Sequence, residues 1–233
     1  MRCIAITSNQ IRHQEFVKRV QKHVDLDLIV SVEKKCGDSR FCTSERLFFK
    51  GRKEQKGNWV ECDSIQIHSR RMIEMIAGLS PDVCFVFGAP LLKKSIFKIP
   101  KHGCINIHTG LVQHHRGVDS PYWALYEEKP ETIGATLHYI DSSIDGGGVI
   151  DQSKTKGISE TDSPENIFMK TCATGFDILE KNMYDILNNT VKSQTIKPPG
   201  KLYQKKDMCY GTMLKIRNKT SRLLKEFVNE NYS

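Results

Sequence analysis

The sequence predicts one α/β domain on a mainly parallel, twisted sheet flanked by helices, with a short basic segment appended at the C-terminus. Three observations carry this. Short apolar runs alternate with segments of helical spacing along most of the chain. The run Val83 to Phe87 is apolar at every position, as a central strand covered on both faces must be. Pro164 opens a long amphipathic stretch. With 233 residues, 39% of them hydrophobic, the chain can bury one substantial core.

Taken in order, Arg2 to Thr7 predicts a strand. A helix follows near His13 to His23, where Phe16, Val17, Val20 and Val24 recur, and Leu26 to Val32 predicts a second strand. The polar region Glu33 to Asp63 reads as a helix-containing excursion with Leu47-Phe48-Phe49 as its apolar cluster. Met72, Ile73, Ile76 and Leu79 predict a helix that Ser80-Pro81-Asp82 stops before the strand Val83 to Phe87. Beyond a helical turn at Ser95-Ile96-Phe97, the pattern gives a strand at Cys104 to His108. A helix starts at Ser120 with Pro121 at its first position, and Thr132 to Ile140 is a longer strand. From Pro164, the residues Ile167, Phe168, Cys172, Phe176, Leu179 and Met183 keep helical spacing to about Asn189, so this helix should pack across the sheet. Pro198-Pro199-Gly200 breaks the chain before a basic helix near Met213 to Val228.

Charge divides the chain the same way. The formal net charge is +8, and residues 191 to 233, with ten Lys/Arg against three acids, hold +7 of it. The main domain is therefore placed at 1–190 and a basic appendage at 191–233. A lysine-rich run spread over helix and loop reads as a solvated face, so a nucleic-acid partner is not expected. The eight cysteines form no Cys-x-x-Cys pair, and several sit in apolar runs, as reduced core thiols do. The N-terminal apolar run is too short for an export signal and no stretch reaches the length of a membrane span, so a cytoplasmic location without a membrane partner is expected.

Candidate chemistry sits at Asn106 and His108. Alternation along a strand sends Ile105 and Ile107 to one face and Asn106 and His108 to the other, near the carboxyl end where open α/β sheets bind ligands. Burying an unpaired amide or imidazole costs on the order of 1–3 kcal/mol, so such a pair is mutually satisfied or kept for use. Downstream, Asp145 precedes Gly146-Gly147-Gly148, a run that lets the backbone turn tightly but lacks the spacing of a phosphate loop.

Together, Asn106-x-His108, Arg116-Gly117, Tyr122-Trp123-Ala124-Leu125, Gly134-x-Thr136-x-His138 and Asp145-x-Gly147 resemble the formyltransferase family that uses 10-formyltetrahydrofolate. The resemblance spans roughly residues 82 to 152. It implies a Rossmann-like domain, a folate cosubstrate and no metal, with catalytic Asn106, His108 and Asp145. In that chemistry a neutral amine attacks the formyl carbon. The Asn106 amide and a His108 N–H stabilise the oxyanion, each donor contributing roughly 10²- to 10³-fold, while Asp145 orients the imidazole and relays the proton. The same resemblance sets the pterin against Phe87, Gly88, Ala89, Leu91 and Leu92, and against Ile140, Asp141 and Ser142.

Three branches of that family differ in the acceptor amine. The methionyl-tRNA branch carries a further RNA-binding domain, for which the roughly eighty residues after Asp151 leave little room. The glycinamide ribonucleotide branch has a glycine-rich turn after its first strand, where this chain has Thr7-Ser8-Asn9-Gln10-Ile11-Arg12. His108-Thr109-Gly110-Leu111 and Arg116-Gly117 are most similar to the branch that formylates a nucleotide-linked amino sugar, with dTDP the favoured nucleotide. Thr109, Gly110, Arg116 and Gly117 are then the substrate-binding candidates, and Lys50, Arg52 and Lys53 further candidate cations for the diphosphate. A hydrolase or a non-catalytic binding module on the same fold stays open, and the resemblance allows a homodimer. His114 and His115 point in different directions along the chain, which argues against a metal site with His108.

Overall fold

The central strands of the sheet form where the sequence places apolar runs that helices can cover. The computed structural model describes residues 1–33, 41–49 and 57–232. In chain order the elements are β1 (Cys3–Ser8), α1 (Ile11–Gln21), β2 (Leu28–Val32), α2 (Cys42–Phe49), β3 (Trp59–Cys62), α3 (Arg70–Gly78), β4 (Val83–Val86), α4 (Lys94–Phe97) and β5 (Cys104–His108). They continue with β6 (His115–Gly117), α5 (Ser120–Tyr126), β7 (Gly134–Tyr139), β8 (Val149–Lys154), α6 (Pro164–Leu187), β9 (Lys201–Tyr203) and α7 (Tyr210–Tyr232). Seven strands make one sheet in the order β3-β2-β1-β4-β5-β7-β8. The first five run parallel, and β7 and β8 are antiparallel additions at one edge.

All residues of β1, β2 and β4 are buried, because the sheet is covered on both faces. On one face Ala5, Ile29, Phe85, Ile105 and Ile107 pack with α1 and α6. On the other, Ile4, Ile6, Val30, Cys84 and Cys104 pack with α3 and α4. The chain steps outward from β1 through β2 to β3 and then returns to β4, so the order reverses between β1 and β4. Crevices at such reversals are where α/β sheets take ligands.

The long helix α6 begins at a Ser163 N-cap, whose hydroxyl accepts from the Asn166 N–H, with Pro164 in its first turn. It approaches β5 very closely at Gly175, where an added Cβ would stand 2.4 Å from Ile107 Cγ2. Ile107 is buried and has no room to yield. Gly175→Val is therefore expected to lift α6 from the sheet and to destabilise the fold by about 1–3 kcal/mol, read as a lower denaturant midpoint.

Four strands lie outside the sequence expectation: the edge strands β3 and β8 and the two-stranded parallel ribbon of β6 with β9. The segment 191–233 supplies β9 and α7, and Gln194 forms a bridge to Val149. Ile216, Leu223 and Leu224 of α7 are buried in the main core. Three of its cations meet acids of the preceding chain: Arg217 with Glu165 at 2.5 Å, Lys219 with Glu128 at 3.2 Å and Arg222 with Glu128 at 3.7 Å. Part of the positive charge of this segment thus faces acids of residues 1–190. Among the described residues, no helix is long and apolar enough to cross a membrane. Cys3, Cys62, Cys84, Cys104 and Cys172 are buried free thiols.

Candidate active site

Strand β5 carries Asn106 and His108 on one face, and its antiparallel partner β7 sets His138 opposite Asn106 and Thr136 opposite His108. Asn106 Nδ2 lies 3.0 Å from His138 Nε2. His138 Nδ1 is 2.9 Å from the Tyr139 carbonyl oxygen, which can only accept, so Nδ1 carries the proton and Nε2 of the neutral ring accepts from the amide. The sheet register therefore fixes both the tautomer of one histidine and the orientation of the amide beside it.

The loop after β7 brings Asp145 back to these side chains. Asp145 has a left-handed backbone, φ +49°, at the start of the triple-glycine turn. One carboxylate oxygen lies 3.4 Å from His108 Nδ1 and the other 3.5 Å from His138 Nε2. The Gly117 N–H donates to the oxygen facing His108 at 2.7 Å. Burial by itself raises the carboxyl pKa, but His108 and the Gly117 N–H together outweigh it and hold Asp145 well below the usual carboxylate range. Such a group contributes stability that is fully present above its unfolded value near pH 4 and is lost as pH falls toward the folded one. The melting-temperature gap between the wild type and Asp145→Asn is accordingly expected to be open at about pH 5 and to close as pH falls below about 4.

His108 is buried, and its Nε2 is 3.0 Å from the His115 carbonyl oxygen and 3.2 Å from Ser120 Oγ. That N–H is directed at the protein's own backbone, while Nδ1 faces the carboxylate. Gly110 packs so tightly on this ring that a Cβ would meet Nε2 at 2.5 Å. Thr109 is buried beside it. Arg116 donates through Nε to the Gly200 carbonyl at 2.9 Å and through Nη1 to the Ile144 carbonyl at 3.3 Å. It thus ties the C-terminal segment to the Asp145 loop. A cleft of about 180 Å³ opens beside Asp145, lined by Arg116, Ser143, Gly146, Lys197 and the apolar Val112 and Val149.

Of the expected folate-lining residues, Phe87 turns into the core, its ring 5.1 Å from Phe176 and 5.0 Å from His13. Gly88, at φ +67°, carries the chain past His13, Ala89 is half-buried, Leu91 is exposed and Leu92 buried. The half-buried Ile140 donates its N–H to the Cys104 carbonyl, and Asp141 and Ser142 are exposed. Since Val86 is the β4 partner of Asn106, these two segments lie above and below Asn106 along the strand direction. Lys50, Arg52 and Lys53 fall outside the described residues. His115 Nε2 lies 3.4 Å from Glu127, and among the described residues no group of three His, Cys, Asp or Glu is arranged so that it could hold a metal ion.

Sequence reasoning missed His138. The signal was present: Thr136 and His138 alternate on a strand and both stood in the quoted pattern, but their face could not be matched to Asn106 without the strand register.

Residues 3–181, more than half of the chain, match the family described as Formyl transferase. The chain belongs to the formyltransferase family. Its relatives include the bifunctional polymyxin resistance protein ArnA of Wigglesworthia glossinidia brevipalpis, 32% identical over 151 residues, which are 64% of this chain and 23% of that protein. A methionyl-tRNA formyltransferase of Geotalea daltonii is 30% identical over 157 residues, 65% of this chain and 46% of that protein. The chain spans less than half the length of either relative. Among solved structures, the N-formyltransferase from Helicobacter canadensis in complex with folinic acid and dTDP-3-aminofucose shares the fold of this chain. The two superpose with a TM-score of 0.62 at 16% identity, covering 95% of this chain and 80% of that one.

Proposed function

We propose that this protein transfers the formyl group of 10-formyltetrahydrofolate to the amino group of a nucleotide-linked amino sugar, with dTDP as the nucleotide. The observation that carries the reading is the convergence of Asn106, His108, His138 and Asp145 at one point of the sheet, in a member of the formyltransferase family. The amine nitrogen forms a bond to the formyl carbon, and the carbonyl electrons move to oxygen. The Asn106 amide, already oriented by His138, supplies a preorganised dipole for that charge. The amine gives up a proton toward the His108–Asp145 pair. Collapse of the tetrahedral adduct then breaks the bond to the folate N10, which leaves with a proton. The cations Arg116 and Lys197 beside the cleft suit a diphosphate.

Support for a sugar acceptor comes from the Helicobacter canadensis neighbour, whose bound pair is a folate and a dTDP-linked amino sugar. Against glycinamide ribonucleotide stands the first turn of α1. Its N-cap, Gln10, makes no side-chain cap, and Arg12 and His13 are turned inward, to Glu45 and to Ser8. A methionyl-tRNA acceptor is the second reading, favoured by the sequence relative from Geotalea daltonii.

The test incubates the protein and 10-formyltetrahydrofolate with a panel of dTDP- and UDP-linked 3-amino and 4-amino sugars, glycinamide ribonucleotide and methionyl-tRNA. Tetrahydrofolate release and the mass gain of one formyl group are both followed. Formylation of one dTDP-linked sugar is the expected result. Turnover of methionyl-tRNA alone replaces the sugar reading, and formate release without any acceptor makes the protein a hydrolase.

A further inference from the structure

Strand β6 touches both members of the His108–Asp145 pair. Its first residue, His115, presents its carbonyl oxygen to His108 Nε2 at 3.0 Å, and its last, Gly117, donates its N–H to Asp145 at 2.7 Å. A three-residue strand has little stability of its own, so where it sits depends on what it pairs with. That partner is β9, in the register His115 with Lys201 and Gly117 with Tyr203. The pairing is bounded by Lys201 N–H to the His114 carbonyl at 3.0 Å and Val118 N–H to the Tyr203 carbonyl at 3.1 Å.

Tyr203 anchors β9 from its side chain. The ring is buried and stacks on Trp123 at 4.0 Å and 5°, a near-parallel contact over an indole that itself donates to the Val118 carbonyl at 3.0 Å. The hydroxyl donates to Glu127, whose other oxygen meets His115. The two backbones run so close that a Cβ on Gly117, which sits at φ +89°, would stand 2.0 Å from the Tyr203 carbonyl oxygen. Side chain and backbone together leave Gly117 one position, and Gly117 fixes the Asp145 oxygen that faces His108.

We propose that Tyr203, brought in by the C-terminal segment, is a positioning residue for the His108–Asp145 pair and acts through the backbone of β6. The structural part stands on this geometry, and the kinetic part rests on the formyl-transfer reading. Misplacing a reacting group by about 1 Å can cost on the order of 10²-fold in rate, so partial release of β6 is expected to lower turnover about 10-fold.

The test compares the wild type, Tyr203→Phe and Tyr203→Ala, with active sites counted by folinic acid titration. Two signals are read: kcat per folate-binding site, and the amide proton resonance of Gly117, which a short bond to a carboxylate shifts downfield. In Tyr203→Ala the resonance is expected to move upfield and kcat to fall about 10-fold with KM for 10-formyltetrahydrofolate unchanged. Tyr203→Phe keeps the stack and is expected to keep both signals. An unmoved resonance, or a moved one with unchanged kcat, overturns the proposal. If the wild type turns over no acceptor, it is the formyl-transfer reading that has failed, and the resonance alone then decides whether Tyr203 holds the donor to Asp145. Should Tyr203→Ala not fold, Tyr203→Leu, which covers Trp123 without a ring or hydroxyl, is read the same way.

Discussion

Asp145→Asn is expected to lower kcat on the order of 10³-fold while the protein still binds folate. The amide has the shape of the carboxylate and can still accept the Gly117 N–H through its oxygen, so the loop has no steric reason to move. What disappears is the negative charge that lies within 3.5 Å of two histidine rings. Without it a proton leaving the amine meets no anion, and an imidazolium formed in the adduct is left unpaired in a buried site. The carboxyl of the wild type is held far below its ordinary range, so it is ionised throughout the neutral region. Any inflection of kcat between about pH 5 and 8 therefore belongs to another group, and Asp145→Asn should lower kcat across that whole range. Single-turnover rates across that range measure this, and a variant within tenfold of the wild type would remove Asp145 from the proton path.

How much of this was legible beforehand depends on where each constraint resides. Strand β5 was visible because its apolar run and its alternation are local, and α6 because Ile167 to Met183 keep one period beneath an N-cap. The edge strand β3 was not, since an edge needs only one covered face and only Cys62 of its four residues is fully buried. The β6–β9 ribbon was illegible for a different reason. His115-Arg116-Gly117 and Lys201-Leu202-Tyr203 carry no strand pattern, and what joins them is a stack between Trp123 and Tyr203 and a bond between Arg116 and Gly200, 84 residues apart. The positive charge of residues 191–233 was counted correctly, yet the pairing of Arg217, Lys219 and Arg222 with Glu165 and Glu128 depends on how α7 lies against the domain. Composition gives the sign of a patch and leaves out what faces it.

His138 shows the same limit at the centre of the site, and it supports the second large prediction. His138→Ala is expected to lower kcat about 10²-fold, because the ring does two things at once. It accepts from Asn106 at 3.0 Å, fixing which way the amide points, and its edge lies 3.5 Å from the Asp145 carboxylate, limiting where that carboxylate can sit. Without the ring, the Asn106 amide can rotate, and a dipole free to turn must be reoriented as the oxyanion forms. The ring is buried, so its removal also leaves a void, and the fold is expected to lose about 1–3 kcal/mol. Kinetic and structural losses separate in His138→Gln, whose side-chain oxygen can accept from Asn106 without restoring an imidazole. Its kcat per folate-binding site should lie well above that of His138→Ala and below the wild type, with the amide anchored and one ring missing from Asp145. If both variants turn over like the wild type once corrected for the folded fraction, His138 only fills space beneath Asn106, and the amide is oriented by its substrate instead.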